Sequence, residues 1–214
     1  DLVSCLIYGN VSESEGGGIY GGSALNCTII SNRTYESSAG IGGYYVGVTN
    51  CIVYYNINGG NGPTTAVNTC MPEPCRNGIT NPPLFVGAGG YHLWVGSPCV
   101  DAGTNINGEA GATDLDGEPR ANGRVDIGCD EFWAAGFTGA LSIATIAVDR
   151  TNEIPGYVFQ FAADIDGLPL SVAWDFGDGV ATSGFWTATH GYALPGTYPV
   201  VLTVGNQDST VTAT

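Results

Sequence analysis

Cys5-Leu6-Ile7-Tyr8-Gly9-Asn10 returns as Cys27-Thr28-Ile29-Ile30-Ser31-Asn32, and then again as Cys51-Ile52-Val53-Tyr54-Tyr55-Asn56. In each copy an aliphatic residue follows the cysteine by two positions and an asparagine follows it by five. Tyr20 and Tyr44 each precede the next cysteine by seven. Between copies lie Gly16-Gly17-Gly18-Ile19-Tyr20 and Gly40-Ile41-Gly42-Gly43-Tyr44, and a decayed fourth copy begins at Thr69-Cys70.

Each half-unit is a short, β-branched run bounded by Gly and Asn, with no helical periodicity. The period, from Cys5 to Cys27 and then from Cys27 to Cys51, suits one coil of a parallel β-helix. Successive coils of such a fold stack about 4.8 Å apart, so equivalent residues lie over one another. Cys5, Cys27 and Cys51 are then expected to form an inward column of small apolar side chains that stay reduced, because parallel side chains lack the crossed geometry of a disulfide. Asn10, Asn32 and Asn56 are expected to form a second column at a turn, each amide bonding the next, in a backbone conformation that asparagine tolerates on the left-handed side.

Composition narrows the function. The chain has 214 residues, 34 of them glycine, and 20 acidic residues against five arginines and no lysine, for a net charge of -15. Nucleic-acid binding, which rests on neutralising phosphates, is excluded, and insertion into a membrane is not expected because no apolar run is long enough. There is no signal peptide, and the chain opens inside a repeat, so it reads as a piece of something longer. Seven cysteines without CxxC spacing point to secretion with some disulfides rather than a zinc site. Cys70 with Cys75, closing the Met71–Pro74 loop, and Cys99 with Cys129 are the candidate pairs.

Beyond residue 78 the pattern changes to Asn81-Pro82-Pro83-Leu84-Phe85, Ser97-Pro98-Cys99-Val100-Asp101-Ala102-Gly103, Asp114-Leu115-Asp116-Gly117-Glu118-Pro119-Arg120 and Asp126-Ile127-Gly128-Cys129-Asp130-Glu131. These blocks resemble the C-terminal end of right-handed parallel β-helix repeat proteins of bacterial surfaces. The departures are Pro82, where that family has an acidic residue, and Cys129-Asp130, where it has Ala-Tyr. Further on, Trp174-Asp175-Phe176-Gly177-Asp178-Gly179, His190-Gly191-Tyr192 and Gly196-Thr197-Tyr198-Pro199-Val200 are similar to a PKD domain, an immunoglobulin-like sandwich. Alternation at Tyr157, Phe159 and Phe161, at Val172, Trp174 and Phe176, and from Tyr198 to Val204 supports antiparallel strands there. The expected fold is all-β: a right-handed parallel β-helix over residues 1–133 and a PKD-type sandwich over 137–214.

The resemblance implies a secreted, non-catalytic structural or adhesive protein of a bacterial surface, with a non-catalytic carbohydrate-binding part of a larger secreted enzyme as the alternative. Catalysis by two carboxylates is not expected, because the coils carry little charge and the acidic residues collect in the terminal segment. Asp114 and Asp116 resemble the opening of a calcium loop but lack an acidic twelfth residue, and a turn in which aspartates bond backbone amides is the preferred reading. No other cofactor is expected. Asp175, Asp178 and His190 are expected to fix a turn, with Trp174 in the core. The sequons at Asn10, Asn26 and Asn32 offer glycosylation sites, Asn26 pointing outward in this register, although chance occurrence is the favoured reading. As partners, extracellular polysaccharide and copies of the chain itself are expected. A first coil starting at Leu2 has an open strand edge, to be covered either by a preceding portion of the chain, the favoured reading, or head to tail by a second copy, through its PKD sandwich or its last strand Ser209–Thr214.

Overall fold

The structure is a computed structural model that describes residues 1–58, 64–86, 90–106, 112–120 and 123–214. It is all-β, with a single turn of 3₁₀ helix at Ala134–Gly136 among the described residues. The chain divides into two compact units, one made of Asp1–Phe85 and Gly89–Phe132, the other mainly of Trp133–Thr214.

The first unit is a succession of very short strands: β1 (Leu2–Val3), β2 (Leu6–Tyr8), β3 (Val11–Ser12), β4 (Ile19–Tyr20), β5 (Ser23–Leu25), β6 (Thr28–Ile30), β7 (Arg33–Thr34), β8 (Ile41–Gly42), β9 (Val46–Thr49), β10 (Ile52–Tyr54) and β11 (Thr64–Val67). Their sheets are small: β1-β5-β9-β11, β10-β6-β2, β3-β7 and β4-β8. Every pairing in them is parallel. Leu6 lies opposite Thr28 and Ile19 opposite Ile41, the step from Cys5 to Cys27, while Thr28 lies opposite Ile52, the step from Cys27 to Cys51. The spacing then shortens. Val46 faces Thr64 and Ile52 bridges to Cys70, a shorter step than either, and Cys70 bridges to Ile79 at half that step. Cys70 is therefore in register with Ile52, and Thr69 stands in line with the cysteines.

Strands this short must turn within one or two residues, and the turn residues repeat. Ser4, Asn26, Asn50 and Asn68 all have φ between 46° and 52°, each just before the residue that opens the next strand column. Gly9, Ser31 and Tyr55 form a second left-handed column, with φ of 67°, 55° and 55°. Asn10, Asn32 and Asn56 follow that column by one residue, so the left-handed residue is their predecessor, which corrects the sequence expectation. Gly18 is required by close approach: a Cβ there would lie 2.5 Å from the carbonyl oxygen of Gly40 and 2.6 Å from Ile29 Cγ2.

Strands β6 and β10 bury both faces, while β2 at the sheet edge is part-buried and exposes Tyr8. On one side Ile29 and Val53 join Cys27, Cys51, Ile41, Val46, Val48 and Met71 in a core. On the other, Ile30, Ile52 and Cys70 pack under Phe85, Leu93, Cys99 and Ile127. The segment after residue 80 thus covers the outer face of this sheet. Its anchors are the Gly128 N–H donating to Asn50 O at 2.9 Å and the Cys129 N–H donating to Thr28 Oγ1 at 3.0 Å. Parallel strands buried on both faces explain why Thr28-Ile29-Ile30 and Ile52-Val53 read as continuous apolar runs rather than alternating ones.

The second unit holds β12 (Ser142–Val148), β13 (Val158–Asp166), β14 (Ser171–Asp175), β15 (Ala181–Ser183), β16 (Thr187–Gly191), β17 (Val201–Gly205) and β18 (Thr210–Ala213). They form two antiparallel sheets, β12-β13-β16 and β15-β14-β17-β18. Alternate residues Val172, Trp174, Leu202 and Val204 are buried, and Phe161 packs on Trp174 and Phe176 with ring centroids 6.0 and 5.4 Å apart. Residues 209–214 are no spare segment: β18 pairs with β17 from Leu202↔Ala213 to Gly205↔Thr210.

Candidate functional site

The asparagine column is continuous. Asn10 Nδ2 donates to Asn32 Oδ1 at 3.0 Å and Asn32 Nδ2 to Asn56 Oδ1 at 3.1 Å, and the same oxygens accept the backbone N–H of Asn10 and Asn32. A second column was not picked out from the sequence: Asn50 Nδ2 donates to Asn26 Oδ1 at 3.0 Å and to Thr104 O at 2.9 Å. The signal was present, since Asn26 and Asn50 immediately precede Cys27 and Cys51. Asn26 is buried rather than outward, and Asn32 is fully buried with its amide committed, so neither offers a nitrogen to a glycan in the folded chain. Asn10 is exposed.

All seven cysteines are free thiols. Cys75 joins the inner core and Cys70 the outer one, so they lie on opposite sides of the same turn and do not pair. Cys99 packs against Cys70, while Cys129 sits under Thr28, which separates the second candidate pair. In the inner column Cys5, Cys27 and Cys51 each donate Sγ to the carbonyl two residues earlier, at 3.1 to 3.2 Å. The Cys27 thiol is lowered to about 7, chiefly by its contact with Cys51, while burial raises Cys51.

The terminal segment gathers a cluster of charged side chains. Asp114 Oδ1 accepts the N–H groups of Asp116 and Glu118 at 3.0 and 2.9 Å, and its Oδ2 accepts that of Glu131 at 2.9 Å. Asp114 thus closes a turn whose Gly117 has φ of 92°. Asp126 accepts the N–H of Asp101 and of Phe132, both at 2.6 Å, and burial pushes it up to about 6. Glu131 accepts the Asp126 N–H and meets the buried Arg120 at 3.0 Å. Burial still outweighs that guanidinium and raises Glu131 to about 8. These carboxylates are used to hold backbone, which suits a structural role rather than acid-base chemistry.

Beside them stand Tyr91, His92, Asp116, Glu118 and Asp130. His92 Nδ1 lies 3.3 Å from Asp130 Oδ1 and 3.5 Å from Asp116 Oδ2. Hydrogen bonding to Asp130 raises His92, and burial raises Asp130 and Glu118. Sequence reading assigned His92 no part in this group, because Asp130 stands far from it along the chain.

In the second unit Asp175 Oδ1 accepts the Gly177 N–H at 2.9 Å and Asp178 Oδ1 accepts that of Val180 at 3.1 Å. His190 Nε2 reaches Asp178 Oδ2 at 2.8 Å and its ring stacks on Phe176 at 4.2 Å. Trp174 is buried and donates Nε1–H to Phe185 O at 2.9 Å. Tyr192 and Tyr198 stack at 4.1 Å, beside a cleft of about 290 Å³ whose lining includes Phe159, Arg150 and Asn152.

Residues 143–214 match the PKD domain family, so the second unit is a PKD-type, immunoglobulin-like sandwich. No curated protein and no solved structure matches the chain. Among the described residues no helix is long and apolar enough to cross a membrane.

Proposed function

We propose that this chain is a non-catalytic structural or adhesive part of a secreted, bacterial cell-surface protein, in which the last coils of a right-handed parallel β-helix carry a PKD sandwich. The observation that carries the reading is the match of residues 143–214 to the PKD family, whose members serve as extracellular spacers and adhesive modules. The parallel pairing at the steps of the sequence repeat, with stacked asparagine and cysteine columns, supports the β-helix. Asp114 and Asp126 of the terminal segment are engaged with backbone N–H groups, which supports a scaffold over a catalyst. Incubation with acidic and neutral polysaccharides tests this: no turnover is expected, and release of any oligosaccharide product overturns it.

The alternative, a carbohydrate-binding part of a larger secreted enzyme, is favoured by the aromatic cleft beside Tyr192 and Tyr198. A glycan array separates the two readings. Saturable binding to one glycan class, lost in Tyr198→Ala, supports the alternative.

The proposal includes head-to-tail association of copies through the edge of β1 and β2, which end their sheets within this chain and expose Leu2, Val3 and Tyr8. A lysine on such an edge blocks strand addition. Val3→Lys is expected to abolish concentration-dependent sedimentation. A full chain that stays monomeric at high concentration excludes this association.

A further inference from the structure

Asp116 and Asp130 each have one carboxylate oxygen held by a donor. The Tyr91 hydroxyl donates to Asp116 Oδ1 at 2.9 Å, and the Leu93 N–H donates to Asp130 Oδ2 at 2.9 Å. The other two oxygens face one nitrogen, His92 Nδ1, at 3.5 and 3.3 Å. Those separations are long for an imidazolium ion pair, since charge-assisted N–H···O bonds run about 2.7–2.9 Å. One N–H also cannot point at both oxygens. The separations do fit the edges of a coordination shell: donors about 2.0–2.1 Å from a tetrahedral ion stand roughly 3.3–3.4 Å from one another. The three ligand atoms lie within 4.8 Å of each other, and Glu118 belongs with Asp114, Asp116 and Asp130 to an adjoining, all-carboxylate set of the same compactness.

The donor types select the ion. An imidazole nitrogen is a poor ligand for calcium or magnesium, which take oxygen shells, and a good one for zinc and its neighbours. The donors behind the ligands also match the pattern of metal sites, where outer hydrogen bonds fix each ligand's orientation. Asp114, by contrast, has both oxygens engaged with backbone N–H groups.

We propose that His92, Asp116 and Asp130 bind one divalent first-row transition-metal ion, with zinc as the best fit and Glu118 placed alongside the two aspartates. The ion would join three stretches of chain: Tyr91–Leu93, the Asp114–Glu118 turn and the segment at Asp130. It would also offset the repulsion among carboxylates that burial already disfavours. The inference is independent of the extracellular reading.

Untagged full chain, stripped with chelator and titrated with Zn²⁺ by calorimetry, is expected to take up one equivalent. His92→Ala and Asp116→Asn are each expected to weaken binding tenfold or more, and His190→Ala to leave it unchanged. Circular dichroism of each variant in chelator verifies the fold, and His92→Gln serves in place of any variant that fails to fold. Loading with Co²⁺ is expected to give the visible bands of a four-coordinate site, absent in His92→Ala. No bound equivalent, binding that survives His92→Ala, or full displacement by equimolar Ca²⁺ overturns the proposal.

Discussion

Thr69 takes the place of Cys51 one coil on: its Oγ1 donates to Val67 O at 3.0 Å, as Cys51 Sγ donates to Thr49 O at 3.2 Å. Both side chains are fully buried, and both carbonyls belong to the residue two positions earlier. The column therefore asks for a small side chain with a donor at its γ atom, not for sulfur chemistry. Thr69→Cys is expected to cost under about 1 kcal/mol, whereas Cys51→Ala, which leaves a small void and takes one of two donors from Thr49 O, costs about 1–3 kcal/mol. Urea unfolding of the first unit measures both. A Cys51→Ala variant as stable as the parent would show that the column is mere filling.

Asn32 is the middle of its column and has both ends of its amide in use. Asn32→Ala strips partners from Ile7 O, Asn56 Oδ1 and the Asn10 N–H. Loss of several buried hydrogen bonds of this kind is expected to cost about 2–4 kcal/mol, against roughly 1 kcal/mol or less for the exposed Asn10→Ala. Equal effects at the two positions would contradict the column. Intact mass of material secreted by a glycosylating host is expected to show no glycan at Asn26 or Asn32.

The repeat was legible because its residues are local: a cysteine, an aliphatic and an asparagine in fixed spacing report directly on corners and columns. The sandwich was legible for the same reason, through alternation at Val172 and Trp174 and the turn glycines at 177 and 179. What stayed hidden depends on which segments meet. Nothing in the spacing of Cys70 and Cys75 says that they face different cores, and Asn26 was placed outward because its neighbour points inward. That inference assumed a strand, but Asn26 is a left-handed corner with φ of 52°, where alternation does not hold. The length of the strand before Val204 was also overread: β17 begins at Val201, and Tyr198 belongs to the preceding loop, bonding Leu194 O.

Buried acids give the first unit a pH dependence of definite sign. Asp126 and Glu131 are raised in the fold to about 6 and about 8, so between the ordinary carboxylate range and those values the folded state holds more protons than the unfolded one. Stability therefore falls as pH rises from about 4 to 8. His92, also raised, adds loss in the same direction as it deprotonates. The thermal midpoint of the first unit is expected to be higher at pH 5 than at pH 8.5, and Glu131→Gln is expected to flatten the slope. General repulsion from the net charge of -15 also favours lower pH, but it would leave the slope of Glu131→Gln almost unchanged. A parent and a variant with the same slope would remove Glu131 from the account.

Gly177 is a position in the sandwich where one added carbon meets both backbone strain and a clash. Its φ is 76°, in the region where a side chain is strained, and a Cβ there would lie 2.5 Å from Pro199 O and 2.9 Å from Pro199 Cδ. The Asp175 carboxylate holds the same turn by accepting the Gly177 N–H. Gly177→Ala must therefore either push the 199 region away or abandon the turn between β14 and β15. Positive-φ strain and a backbone clash together are expected to cost about 2–4 kcal/mol. Gly179 is the internal control: its φ is 91°, but a Cβ there meets nothing within 4 Å, so Gly179→Ala carries the strain alone. That variant is expected to lose only about 1–2 kcal/mol. Denaturation followed by tryptophan fluorescence, in which Trp174 reports the sandwich core, distinguishes them. If Gly179→Ala proves as damaging as Gly177→Ala, packing against Pro199 is not what fixes the turn.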